Sequence, residues 1–123
     1  MNNSKYILEV TNASKNFGGL QAINRLSLKV KSGLIFSIIG PNGAGKTTAI
    51  NLIAGVYPPT SGDIFFEGQN LYKKRPYQLA YMGIGRTFQN IQVFRHMTVR
   101  ENVMVGLHTK SRCGFLKCLF YTP

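Results

Sequence analysis

Nine consecutive residues, Gly40–Thr48, have the types and the spacing of a loop that binds phosphates. Their sequence, GPNGAGKTT, matches G-x-x-x-x-G-K-[ST] at every fixed position. Small residues let the backbone curl so that successive N–H groups point at phosphate oxygens, while Lys46 adds a mobile positive charge. The hydroxyl of Thr47 suits Mg²⁺, and Thr48 can add a phosphate contact. The pattern predicts a site for the phosphates of ATP with Mg²⁺, made by Gly40, Pro41, Asn42, Gly43, Ala44, Gly45, Lys46, Thr47 and Thr48.

Such a loop needs a strand before it and a helix after it. Leu34–Ile39 is almost continuously apolar, which predicts a strand covered on both faces, as in a parallel sheet flanked by helices. Lys46–Ala54 reads as a helix that ends at Gly55. The helix N-terminus would add partial positive charge beside the bound phosphates.

The segments before and after this unit are rich in short strands. Tyr6–Thr11 contains aromatic and β-branched residues, and Leu26–Val30 alternates apolar and polar residues as a half-buried antiparallel strand does. Asp63–Glu67 predicts another strand, after a Pro-Pro-Thr-Ser-Gly turn. The chain is therefore expected to be an α/β protein with a β-rich front end.

Further helices and one strand are expected towards the C-terminus. Pro76 suits the first turn of a helix that runs to about Met82, and Ile84–Phe88 predicts a buried strand. Thr98 and Glu101 form a capping box, which opens a helix. The spacing i, i+4, i+8 puts three apolar residues on one face of that helix, where they predict burial within the fold or against a partner: Val99, Val103 and Leu107.

The charge of the chain indicates an anionic partner. Fifteen Lys and Arg residues face four acidic ones, which gives 123 residues a net charge of +11. The cations are spread along the chain, and the densest run is Lys73-Lys74-Arg75, so nucleic acid is not the expected partner. No apolar run approaches the ~18 residues that span a bilayer. The two cysteines, Cys113 and Cys118, are expected to be free thiols.

Beyond the generic loop, GPNGAGKTT followed by INLIAGVYPPTSGDIFFEG closely resembles the ATP-binding subunits of ABC transporters. The later residues 82–89 (MGIGRTFQ) and 93–103 (VFRHMTVRENV) look most like the subunits of branched-chain amino-acid importers. The resemblance implies a P-loop NTPase core fragment with an antiparallel β subdomain at its N-terminal side. It also implies transmembrane permease subunits and a second ATP-binding subunit as partners, and a peripheral place on the cytoplasmic face of the cell membrane.

Two more site residues follow from the resemblance. Phe17 lies where the family places an aromatic that stacks on adenine; the alternatives are ordinary packing of Phe17 and a stacking role for Tyr6. Gln89 matches the glutamine whose amide oxygen can complete the Mg²⁺ shell; the alternative is a surface glutamine.

The resemblance covers the chain as the first half of a family domain, residues 1–123. The signature motif, the Walker B carboxylates and the switch histidine are expected later in the family pattern, and neither His96 nor His108 matches that histidine. None of the four acids, Glu9, Asp63, Glu67 and Glu101, follows a buried strand in the manner of Walker B. No complete catalytic set is therefore expected, with Lys46 and Gln89 as contributory residues, and these 123 residues are expected to bind ATP without hydrolysing it.

Two other classes stay open at this point. One is a basic protein associated with nucleic acid, which the charge of +11 suggests. The other is a nucleotide-binding remnant that serves no transporter.

Overall fold

The computed structural model describes residues 6–90 and 93–107. The chain divides into two compact units, Met1–Arg86 and Thr87–Pro123. The first unit holds the sheet, the predicted phosphate loop and two helices. The second holds one helix among its described residues. No helix in the described part of the chain has the length and hydropathy to cross a membrane.

The first unit is built on a four-stranded antiparallel sheet with the order β2-β1-β3-β4. Its strands are β1 (Leu8–Phe17), β2 (Leu20–Val30), β3 (Ser61–Phe66) and β4 (Gln69–Asn70). Strands are confirmed at all three predicted places, Tyr6–Thr11, Leu26–Val30 and Asp63–Glu67. The first begins two residues later, at Leu8, and runs on to Phe17, and the second begins earlier, at Leu20. The antiparallel β-rich front end is therefore confirmed.

Two serine hydroxyls allow β1 to bend without leaving backbone groups unpaired. The register between β1 and β2 shifts between Val10 and Ala13 and again between Ala13 and Lys15. Asn12 on β1 has a φ of 49°, and Arg25 on β2 has a φ of 47°. The N–H of Asn12 donates to Ser27 Oγ at 2.9 Å, and the N–H of Arg25 donates to Ser14 Oγ at 2.9 Å. These bonds replace the ladder bonds that the irregularity removes.

The core lies between this sheet and the first unit's helices, α1 (Lys46–Ile53) and α2 (Pro76–Tyr81). The expected helices at Lys46–Ala54 and from Pro76 are confirmed, with Ala54 and Met82 as their C-cap residues. Gly55 follows α1 with a φ of 67°, which suits the glycine that ends a helix. The buried apolar side chains come from every layer: Val10, Ala13, Ile23, Ala49, Leu52, Ile64, Leu71 and Leu79.

The predicted strand at Leu34–Ile39 is wrong for the structure described. These residues are irregular, and Ile35 and Ile39 are 100% and 92% exposed. An apolar run becomes a strand only when neighbouring strands satisfy its N–H and C=O groups, and no described strand pairs with this one. The predicted strand at Ile84–Phe88 is wrong for the same reason, although Ile84 packs against the core.

The second unit contains α3 (Val99–Gly106), whose capping box is confirmed. The N–H of Glu101 donates to Thr98 Oγ1 at 3.3 Å, and the N–H of Thr98 donates to Glu101 Oε2 at 2.7 Å. Of the two alternatives for the apolar stripe, burial within the fold is not observed among the described residues, and burial against a partner stays a prediction. Val99, Val103 and Leu107 are all more than half exposed, and none of the α3 residues is buried. The described part of this unit therefore provides no core for that face.

We predict that Glu101 titrates below its ordinary pKa of 4.5. The Thr98 N–H, and then the Thr98 hydroxyl, stabilise the carboxylate and lower its pKa. A lowered pKa in the folded state means that the carboxylate stabilises α3 above pH 4.5, and that this stabilisation is lost as the pH falls through the lowered value. An NMR titration of the Thr98 amide should follow this transition, and the Glu101→Gln variant should show none. A Glu101 midpoint at or above 4.5 would contradict the capping geometry.

Candidate phosphate-binding site

The predicted loop leads directly into the first turn of α1. Gly45 is the N-cap residue of α1, with φ 81° and ψ 8°, and no side chain caps the helix. The first turn also contains no acidic residue. The N–H groups at the start of a helix lack intrahelical acceptors and carry the positive end of the helix dipole. The start of α1 is therefore open to an anion.

Gly45 also fixes where this helix begins relative to the sheet. A Cβ built on Gly45 would lie 2.7 Å from the carbonyl oxygen of Ala22 and 3.0 Å from Cδ1 of Ile23. Both contacts belong to β2, so the loop backbone presses against the strand more closely than any other residue type would allow. A left-handed φ adds a second reason for glycine at this position. Together the two constraints seat the N-terminus of α1 on the antiparallel sheet.

The side chain of Lys46 folds back across the loop. Its ammonium donates to the carbonyl of Gly40 at 2.7 Å and to that of Pro41 at 2.6 Å. These bonds hold the beginning of the loop against the beginning of α1. An ammonium has three hydrogens, so one donor remains for a ligand within the described structure. Lys46 thus holds the loop in shape and can also donate a hydrogen bond to an anion.

A cavity of about 480 Å³ brings part of the predicted set together. Its lining includes Phe17, Asn42, Gly43 and residues 45–48, together with residues 20–22 of β2. Gly40, Pro41 and Ala44 belong to the loop but do not line the cavity. This volume falls within the ~300–1,000 Å³ typical of small-molecule sites. One cavity is therefore lined by the aromatic side chain of Phe17, by the start of α1 and by the positively charged side chain of Lys46.

No carboxylate lines this cavity, and three of the four acids are engaged elsewhere. Glu9 forms an ion pair with Lys29 at 2.9 Å, Asp63 Oδ1 accepts from Asn70 at 2.8 Å, and Glu101 caps α3. Glu67 lies in the turn between β3 and β4. The described residues contain no group of three or more His, Cys, Asp or Glu that could hold a metal. Thr47 lines the cavity without a carboxylate beside it, so a cation such as Mg²⁺ would need oxygen ligands from the phosphates themselves.

Gln89 belongs to the second unit, whereas the phosphate loop belongs to the first. Gln89 is exposed in a bend of the chain. Its predicted role at Mg²⁺ stays a prediction. His108, Cys113 and Cys118 lie outside the described residues.

Two residues that contact Phe17, Tyr57 and Lys15, were not predicted from the sequence. The Tyr57 ring meets the Phe17 ring edge to face, with centroids 5.1 Å apart, and the Lys15 ammonium lies 5.3 Å from the Phe17 centroid. Strand periodicity could have found Lys15, because residues i and i+2 share a face of β1. No local signal identifies Tyr57, which reaches Phe17 from a loop some forty residues along the chain.

Comparison with known proteins agrees with this fold. The family described as ABC transporter matches residues 23–119. The high-affinity branched-chain amino acid transport ATP-binding protein BraF of Pseudomonas aeruginosa is 44% identical over 120 residues, which cover 98% of this chain and 47% of BraF. The probable branched-chain amino acid transport ATP-binding protein LivG of Archaeoglobus fulgidus is 46% identical over 100 residues, 81% of this chain and 39% of LivG.

Solved structures give the same result. A nucleotide-free ATP-binding cassette from an ABC transporter matches with a TM-score of 0.77 at 39% identity, covering 95% of this chain and 46% of that one. The ADP conformation of MJ1267, an ATP-binding cassette of an ABC transporter, matches with a TM-score of 0.76. The chain thus spans about half the length of the relatives it matches.

We predict that Gly45→Ala destabilises the first unit more than Gly43→Ala does. Both glycines have a left-handed φ, 81° and 85°, but a Cβ on Gly43 meets nothing within 4 Å. Gly43→Ala should cost about 1–2 kcal/mol of unfolding free energy for its backbone alone. Gly45→Ala should cost about 2–4 kcal/mol because it also forces the loop from β2. Urea unfolding measures both. Equal losses would mean that the contact with Ala22 does not constrain the loop.

Proposed function

Because this chain belongs to the ABC transporter family, we propose that it supplies the ATP-binding, energy-coupling part of an importer for branched-chain amino acids. The observation that carries the proposal is the cavity in which the start of α1, Lys46 and Phe17 meet. The relatives BraF and LivG, whose names specify branched-chain amino acid transport, support the choice of solute.

The phosphates of ATP would bind at Gly40–Thr48. The N–H groups at the start of α1 and the Lys46 ammonium supply positive charge to a ligand that carries several negative charges. When phosphate oxygens enter, the ammonium can exchange its bonds with Gly40 and Pro41 for stronger charge-assisted bonds to the ligand. The loop is thus held in shape before the ligand arrives, which lowers the entropic cost of binding.

Phe17 would receive the adenine. Its side chain is 45% exposed at the end of β1 and lines the same cavity as the loop. Base–aromatic stacking contributes about 1–3 kcal/mol and accepts either purine. Stacking therefore adds affinity for a nucleotide over bare phosphate, with little preference between adenine and guanine.

Mg²⁺ would enter with the nucleotide. Thr47 would supply its hydroxyl and Gln89 its amide oxygen, and the metal would partly neutralise the phosphates. Its remaining ligands would be phosphate oxygens and water, since no carboxylate lines the described cavity.

These 123 residues would bind ATP without cleaving it. A positioned general base or electrostatic group contributes about 10²–10⁴-fold to a rate. The family's second-half motifs would supply those groups, and the acids described here are placed elsewhere. Domain 1–123 would therefore act as the nucleotide-binding half of a family domain.

In the assembled importer this part would pair with a second ATP-binding subunit and with transmembrane permease subunits. Such an assembly places it on the cytoplasmic face of the cell membrane. Binding of ATP would favour the closed pair over the open one, and the permease would respond to that change in population.

The test is to measure ATP binding and phosphate release by the same purified chain. We expect calorimetry to detect MgATP binding, and Lys46→Ala to weaken it by about 10- to 100-fold through loss of a charged donor. Phosphate release should equal that of Lys46→Ala. ATP affinity unchanged by Lys46→Ala would reject the site, and phosphate release above that of the variant would reject the absence of hydrolysis.

A further inference from the structure

The Phe17 ring is held by two neighbours. Tyr57 meets it edge to face, with the ring planes at 90°. The Lys15 ammonium lies over both rings, 5.3 Å from the Phe17 centroid and 5.0 Å from the Tyr57 centroid. The same ammonium donates to the carbonyl of Pro58 at 2.8 Å, which fixes its position. Lys15 therefore lies over one face of the Phe17 ring, and Phe17 still lines the cavity in which a base could stack. We call Lys15, Phe17 and Tyr57 the aromatic platform.

The aromatic platform is attached to α1 through Asn51. The Asn51 amide nitrogen donates to the Tyr57 hydroxyl at 3.0 Å, and the Asn51 amide oxygen accepts from the Arg86 guanidinium. A guanidinium only donates, so the oxygen of the amide must face Arg86 and the nitrogen must face Tyr57. The orientation of the amide is thereby fixed. Tyr57 is half-buried and has one defined partner on the helix that opens at the phosphate loop.

We propose that Tyr57 is the positioning residue for the nucleoside half of the ligand. Asn51 lies on α1, whose first turn belongs to the phosphate site, so the bond to Tyr57 fixes the platform relative to that turn. Tyr57 does not line the cavity, and it acts through the ring of Phe17. This inference rests on the proposed function, because it assigns a role within the same nucleotide site.

The consequence is a selective effect on the base. A displaced Phe17 ring loses stacking, while the N–H groups of α1 and the ammonium of Lys46 still bind phosphates. ATP and inorganic tripolyphosphate, which has no base, separate the two contributions. A purely structural role for Tyr57 would instead weaken both ligands together.

The experiment titrates wild type, Tyr57→Leu, Tyr57→Phe and Tyr77→Leu with MgATP and with magnesium tripolyphosphate by calorimetry. Tyr77 is a matched control, since it is an exposed tyrosine on α2 that does not line the cavity. Tyr57→Leu should weaken ATP binding by about 5- to 20-fold, within the range that stacking spans. Tyr57→Phe keeps the ring and should lose about two- to threefold, as one hydrogen bond allows. Tripolyphosphate affinity should stay within about twofold throughout, and Tyr77→Leu should match wild type.

If ATP and tripolyphosphate weaken equally in Tyr57→Leu, or neither changes, Tyr57 does not position the base. If Tyr57→Leu fails to fold, Tyr57→Phe decides by the same comparison of the two ligands. If the wild-type chain binds tripolyphosphate but the Tyr57 substitutions leave the affinity for ATP unchanged, only this inference is rejected. A wild-type chain that binds neither ligand rejects the proposed function and the inference with it.

Discussion

The close approach of Gly45 to the carbonyl of Ala22 is the constraint on which the rest of the site depends. It brings the start of α1 against β2 at a distance that no side chain permits, with a backbone angle that favours glycine. The uncapped N–H groups at the start of α1 therefore lie beside the sheet. Lys46 completes the arrangement, because its ammonium ties the carbonyls of Gly40 and Pro41 to the helix that follows.

The phosphates and the base of the nucleotide would thus bind to different parts of the first unit. The loop and α1 offer positive charge for phosphates, while the end of β1 offers an aromatic ring for the base. Asn51 and Tyr57 connect the two through a hydrogen bond and an edge-to-face ring contact. The antiparallel sheet therefore forms one wall of the site as well as the scaffold of the first unit.

Features encoded by neighbouring residues could be predicted from the sequence. The helix after Gly45, the helix that begins at Pro76 and the capping box of Thr98 and Glu101 depend on contacts within a few residues. Leu34–Ile39 failed as a strand because strand pairing depends on distant segments, whatever the local hydropathy. The contacts of Tyr57 were missed for the same reason, since Phe17, Asn51 and Tyr57 meet only in the folded chain.

The proposed phosphate site is tested most directly by a ¹H–¹⁵N NMR titration of the chain with a non-hydrolysable ATP analogue and Mg²⁺. The largest amide shifts should fall within residues 43–48, with a second set at Phe17 and its neighbours in β1. Binding through the diffuse positive charge alone would instead shift amides near exposed cations such as Lys73 and Arg75. Such a pattern, with residues 43–48 unchanged, would contradict the claim that this loop receives the phosphates.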